Sequence, residues 1–74
     1  MSDPLIECIS FLADGNFGAL NALHDVYVNC PTMMAGVLEK LMKNNIRGDK
    51  IWIMYNDEHK QHALAFANAV FLLP

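Results

Sequence analysis

Helix-breaking residues divide this sequence into short segments, and this punctuation limits what the chain can fold into. Gly15, Pro31 and Gly48 separate four stretches. Within most of these stretches apolar residues recur at spacings of three and four, which places them on one face of an α-helix. The sequence therefore predicts an all-α fold: a compact bundle of four to five short helices in a single domain over residues 1–74.

Capping signals predict the bounds of the first three helices. Asp3 is a suitable N-cap residue with a proline after it, and Gly15 can take the left-handed conformation that ends a helix. Ile46 can fold back as the apolar residue that follows the third helix. The predicted helices run from about Pro4 to Asp14, from Asn16 or Phe17 to just before Pro31, and from Pro31 or Thr32 to a cap at Asn44 or Asn45.

Residues 50–55 are open to two interpretations. Isoleucine, tryptophan and tyrosine favour strands, but a lone strand leaves its backbone groups unpaired, and no other segment matches it as a partner. We favour a short helix capped by Asp49; the alternative is a strand paired with its copy in a second chain. The last helix is predicted from about Asp57 to Leu72, with two acidic residues at the positive end of its dipole.

The chain is too apolar for its size. Hydrophobic residues make up 54% of it and charged residues 18%, against about 25% charged in typical domains. A short chain has a high surface-to-volume ratio, so we expect it to share its apolar surface with another copy. The sequence predicts that the chain forms a homo-oligomer, and a dimer is the first form to expect. A different protein is the second possible partner. The predicted interface residues are Trp52, Tyr55, Phe66, Val70, Phe71 and Leu73.

A basic segment at residues 40–50 offers an alternative function. It carries Lys40, Lys43, Arg47 and Lys50, whereas residues 1–39 contain no lysine or arginine. Such a cluster beside Trp52 could contact anions or nucleic acid. The chain as a whole has a net charge of −3, which disfavours binding to phosphate, so a solvated loop is the favoured interpretation.

Catalytic and metal-binding patterns are weak. His59 and His62 are three residues apart on the predicted last helix, with Asp57 and Glu58 just upstream. The sequence fixes no convincing third or fourth ligand, so we predict no metal site and no cofactor. His24, Asp25 and Cys30 do not form a nucleophilic triad, because neighbouring helical residues point about 100° apart. We expect no enzymatic activity, and reduced thiols at Cys8 and Cys30.

Three short motifs carry a resemblance to a known group. Gly15-Asn16-Phe17-Gly18-Ala19, the block Asn45-Ile46-Arg47-Gly48-Asp49-Lys50-Ile51-Trp52, and Tyr55-Asn56-Asp57 resemble short proteins of Firmicute bacteria and their phages. Glu58-His59 departs from that pattern, which has cysteine after the Tyr-Asn-Asp motif. The resemblance implies a cytosolic bacterial or phage protein. The group has no assigned activity, so no functional residue carries over.

The sequence also bears on location. Its longest apolar runs, Ile51–Tyr55 and Ala69–Leu73, are far shorter than the roughly 18–20 residues of a membrane span. Asp3 and Pro4 stand where a signal peptide has basic residues, so we expect a cytoplasmic protein. The sequence thus predicts a small, non-enzymatic, self-associating protein-protein interaction module; the alternative is a nucleic-acid-associated regulator that uses residues 40–50.

Overall fold

The described residues fold into an all-α bundle, as predicted. A computed structural model describes residues 3–58 and 62–74. Within these ranges the helices are α1 (Pro4–Ala13), α2 (Phe17–Asn29), α3 (Met34–Lys43), α4 (Asp49–Ile53) and α5 (Ala63–Phe71). A 3₁₀ turn over Pro31–Met33 leads into α3, and a π-helical turn over Met54–Glu58 continues α4. Residues 50–55 are therefore helical, and the strand alternative is wrong.

The first two helices begin at side-chain caps. The Leu5 N–H donates to Asp3 Oδ1, and the Ala19 N–H donates to Asn16 Oδ1. The donor–acceptor distance is 2.9 Å in both bonds. Each bond satisfies a backbone donor that has no partner within its helix. At the other end of α1, both Asp14 and Gly15 take the left-handed conformation. The predicted starts of both helices are confirmed.

A left-handed residue ends α3, also as predicted. Asn45 has φ of 56°. Its N–H donates to the Met42 carbonyl (3.1 Å), and the Ile46 N–H reaches back to the Leu41 carbonyl (2.9 Å). This pair of bonds is the Schellman motif, in which the next apolar residue folds onto the helix. Ile46 accordingly packs against the core.

One core joins all five helices of the described chain. α1 packs against α2 and α3, α2 also contacts α4 and α5, and α3 contacts α5. Apolar residues at the predicted helical spacing supply the buried side chains of α3 and α5, but the buried face of α2 is Ala19, Ala22, Leu23 and Val26 instead of the predicted Leu20, Leu23, Tyr27 and Cys30. The largest fully buried residues are Leu12, Leu23, Val26, Met34, Val37, Leu41, Ile51, Phe66 and Val70.

α4 lies unusually close to the start of α2. Trp52 packs on the backbone of Gly18, where any Cβ would lie 2.5 Å from the indole. Gly48 precedes α4 with φ of 54° and ψ of −123°, a conformation that favours glycine, and its N–H donates to the Leu12 carbonyl over 2.8 Å. Gly48, not Asp49, is therefore the N-cap of α4. The Asp49 carboxylate instead accepts a hydrogen bond from the Asn16 side-chain amide.

Tyr55 links the π-helical turn to two helices. Its hydroxyl donates to the Asp25 carboxylate on α2. Its ring meets Phe66 of α5 edge-on, with 5.2 Å between ring centroids. Two causes raise the pKa of Tyr55 well above its usual value of 10.0: the larger is burial, and the smaller is the hydrogen bond to Asp25.

The last helix begins later than predicted. α5 starts at Ala63, and His62 is its N-cap, with Nδ1 accepting from the Ala65 N–H over 3.1 Å. The predicted start at Asp57 is wrong, because residues 57 and 58 extend the helical path of α4. His59 lies outside the described residues. His62 therefore lies before the helix and is not one of two histidines on a helical face.

Replacing Gly18 by alanine should destabilise the protein, because the new Cβ would overlap the Trp52 ring. Such overpacking costs about 1–3 kcal/mol, whereas alanine gains only ~1 kcal/mol over glycine in a helix. Gly36→Ala is the matched control, since its Cβ would meet the outer atoms of the Phe71 ring, which is 40% exposed and has solvent to move into. Urea unfolding followed by the fluorescence of the single tryptophan should give Gly18→Ala the lower free energy of unfolding. Equal values would contradict the role of this contact.

Tyr55 should make stability fall at alkaline pH. In the unfolded chain its phenol ionises near pH 10, whereas the folded pKa is higher, so its contribution is complete below pH 10 and is lost as pH rises above it. Tyr55→Phe should remove this decline and, at pH 7, lower the free energy of unfolding by about 1–2 kcal/mol. Tyr27→Phe is the control: the pKa of Tyr27 is raised as well, first by its hydrogen bond to Asp3 (2.8 Å), but Tyr27 is less buried than Tyr55, so this variant should reduce the decline less. Urea unfolding between pH 7 and 11 measures the free energy of unfolding of both variants. If the stability of Tyr55→Phe falls with pH as steeply as that of the wild type, Tyr55 is not the group responsible.

Candidate functional site

An apolar groove of about 620 Å³ lies between α1 and α3. It forms because the apolar face of α1 is wider than the core can cover. Ile9 and Leu12 on this face are buried, whereas Leu5 and Cys8, one turn away, are only half-buried and line the groove. The lining residues of this α1–α3 groove are Pro4, Leu5, Cys8, Ala35, Leu38, Glu39, Met42 and Lys43.

α3 supplies the other side of the groove. Helical spacing predicts an apolar stripe of Met34, Val37, Leu38 and Leu41 on α3. This stripe is buried, and Leu38, at 3% exposure, is the member that reaches the groove. Met42 follows Leu38 at i+4 and is 50% exposed. Ala35 adds little bulk, so the groove stays open beside α1. The α3 face is thus apolar at its base and has a flexible thioether at its edge.

Two sulfur atoms meet across this groove. The Cys8 thiol lies 3.4 Å from the Met42 thioether sulfur. Burial raises the pKa of Cys8, so its thiol is protonated at neutral pH and can donate weakly to the thioether. The contact joins α1 to α3 at the groove.

The charged side chains of the groove have opposite signs. Glu39 and Lys43 lie four residues apart on α3, and both are exposed. Glutamate placed N-terminal to lysine at this spacing is the favourable orientation on a helix. No other charged residue of the described chain lines the α1–α3 groove. Its apolar base is therefore flanked by one acid and one base.

A smaller depression extends the apolar surface along α1. Its volume is about 140 Å³, and it shares Met42 with the groove. Phe11 lines it and is 56% exposed. The Arg47 guanidinium lies over the Phe11 ring, 5.0 Å from its centroid. The accessible apolar strip therefore runs from Pro4 to Phe11.

The structure divides the predicted interface residues into two groups. Phe66 and Val70 have no exposed surface, and Tyr55 is 5% exposed, so these three belong to the core of the single chain. Trp52 is half-buried against α2. Leu73 is half-buried as well. Phe71 packs on Gly36 of α3 but keeps part of its ring exposed.

The four predicted basic residues do not share one surface environment. Lys40 Nζ donates to the carbonyl oxygens of Leu73 (2.6 Å) and Pro74 (3.3 Å). Lys43 lines the α1–α3 groove. Arg47 and Lys50 line a polar depression of about 400 Å³. Two carboxylates, from Asp14 and Asp49, line that same depression and offset its positive charge.

Asp25 has a structural role in a polar cleft. Its two carboxylate oxygens accept from the Tyr55 hydroxyl and from the Asn29 amide (2.7 Å). The cleft beside it, of about 510 Å³, also contains Cys30 and His62. Among residues 3–58 and 62–74, no group of three or more metal-ligating side chains is placed to hold a metal ion. The hydrogen bond between the Tyr55 hydroxyl and Asp25 holds α2 to the π-helical turn.

Sequence reasoning missed the α1–α3 groove. The signal lay in the width of the apolar faces: in α1 and α3 more apolar positions follow helical spacing than a single stripe needs. Helical spacing places Leu5 and Cys8 on the same apolar stripe of α1 as Ile9 and Leu12, and it places Met42 beside the apolar stripe of α3. Spacing identified these faces, but only the packing shows which of their residues remain uncovered.

Comparisons with known proteins identify no relative of this chain. No protein-family model matches it, and no curated protein or solved structure matches it significantly. In the described chain, no helix is long and apolar enough to cross a bilayer.

Proposed function

We propose that this protein is a small, non-enzymatic interaction module that self-associates through the α1–α3 groove. The observation that carries the proposal is the groove itself: a volume of about 620 Å³ with an apolar base and one charge of each sign. Scattered exposed apolar residues are normal on a protein surface, but a continuous apolar depression with polar edges is typical of a docking site.

Charge complementarity supports a second copy as the occupant. When two copies of α3 meet antiparallel across a two-fold axis, Glu39 of each lies opposite Lys43 of the other. A surface with both charges can therefore complement itself, as an isologous dimer requires. The exposed side chains of Phe11 and Met42 supply apolar contacts beside that axis.

This surface differs from the interface expected from the sequence. Tyr55, Phe66 and Val70 are buried in the core of one chain, so little of their surface is accessible to a second copy. Phe71 and Leu72 remain exposed, and they form the competing surface. The groove is favoured because its apolar residues are contiguous.

Binding of nucleic acid through residues 40–50 has less support. Lys40 is held by backbone carbonyls, and Arg47 and Lys50 share their depression with two carboxylates. Our proposal includes a cytoplasmic bacterial or phage setting, as the resemblance implies, and requires no cofactor.

Met42→Asp should dissociate the protein without unfolding it. Met42 is half-exposed, so a charge there costs little in the single chain but would be buried unpaired in the assembly. Sedimentation equilibrium over a range of concentrations should show a self-associating wild type and a variant of about 8.3 kDa. Circular dichroism should show unchanged helix content.

Leu72→Asp is the matched control for this experiment. Leu72 is 86% exposed and does not line the groove; with Phe71 and Leu73 it forms the apolar tail at the end of α5. It should leave association unchanged. Dissociation by Leu72→Asp but not by Met42→Asp would move the interface to the tail, and a wild type that stays at 8.3 kDa at all concentrations would contradict self-association.

Charge reversal should produce a pair of variants that bind each other better than themselves. Glu39→Lys alone places two lysines opposite one another, and Lys43→Glu alone places two glutamates opposite one another, so each should self-associate more weakly than wild type. Mixed at equal concentration, they restore both opposite-charge contacts. Size-exclusion chromatography with light scattering should show a complex in the mixture at concentrations where each variant alone is monomeric. A mixture as weakly associated as its components would exclude the antiparallel arrangement.

A further inference from the structure

We propose that Met42 is an oxidation site that switches this surface off, an inference that rests on the proposed self-association. Met42 is the most exposed methionine of the described chain. Met34 is fully buried, and Met33 and Met54 are half-buried. The Met42 side chain is therefore the methionine side chain of the described chain that solvent reaches best, and it is part of the apolar lining of the groove.

Burial makes the neighbouring thiol less reactive towards the oxidant. Cysteine reacts with peroxide as the thiolate, and burial raises the pKa of Cys8, so that little thiolate is present at neutral pH. A thioether has no proton to lose and reacts over the whole pH range. The sulfur of Met42 therefore reacts without first losing a proton, whereas the Cys8 sulfur, 3.4 Å away, does not.

The reaction with hydrogen peroxide is balanced within itself. A lone pair on the Met42 sulfur attacks one peroxide oxygen, the O–O bond breaks, and the displaced oxygen leaves as water after proton transfer. The thioether is oxidised to a sulfoxide by two electrons, and the peroxide is reduced. The product carries a strongly polar oxygen at a position that borders Leu5 and Leu38.

A sulfoxide at this position opposes association. On docking, its oxygen would lose water and face apolar groups without a donor, which is costly. Association in turn covers Met42, so peroxide acts on the dissociated chain and traps it there. The two processes are linked, and the oxidation rate of Met42 should fall as the protein concentration rises through the dissociation constant.

Peroxide treatment of the full chain tests the inference. Peptide mass spectrometry should show that Met42 gains an oxygen atom before Met33, Met34 and Met54 do. Sedimentation should show that the dissociation constant rises about ten- to a hundredfold. Treatment with a methionine sulfoxide reductase and a thiol reductant should restore association.

Two variants separate this site from general oxidative damage. Met42→Leu keeps an apolar side chain and should associate normally before and after peroxide. Met33→Leu, the matched control, should remain as sensitive as wild type. Earlier oxidation of Met33, Met34 or Met54, or unchanged association of a chain oxidised at Met42, would overturn the inference.

The failure of this inference differs from that of the proposed function. A wild type that is monomeric before any oxidant is added would refute self-association, and with it this switch. A wild type that self-associates but is oxidised at Met42 at a rate independent of concentration would refute the switch alone.

Discussion

The fold depends on the close approach of α4 to α2 at Gly18. Because Gly18 has no Cβ, the Trp52 ring can lie on the helix backbone, and this brings Ile51 of the same short helix into the core. The π-helical turn that follows then places Tyr55 between Asp25 and Phe66. A helix as short as α4 is not stable alone, so these tertiary contacts are what make the segment helical.

The same arrangement explains where the candidate site lies. α2 has neighbours on several sides, because α1, α4 and α5 all contact it. α1 and α3 pack against each other, and their wide apolar faces extend past the shared core. The groove is therefore the part of these two faces that the short described helices do not cover.

Much of the fold was predictable because its signals are local. The caps at Asp3, Asn16 and Asn45 depend on the few residues around them. The start of the last helix was not predictable, since acidic residues suit any helix start and nothing local shows that residues 57 and 58 extend the preceding turn. The site was predictable only in part. Spacing identifies the apolar face of a helix but not which of its residues the neighbouring helices cover. Phe66 was therefore expected in an interface between copies, whereas it lies in the core of one chain.

The apolar excess of the sequence has two destinations rather than one. A single chain builds a complete core with fully buried side chains from all five described helices, so the fold does not require a partner to complete this core. Nine large apolar residues of the described chain nevertheless remain exposed. Those that stand singly are ordinary for a surface, because folded proteins expose much apolar area. The argument for association therefore does not rest on composition; it rests on contiguity, and contiguity distinguishes the α1–α3 groove from an isolated residue such as Val28.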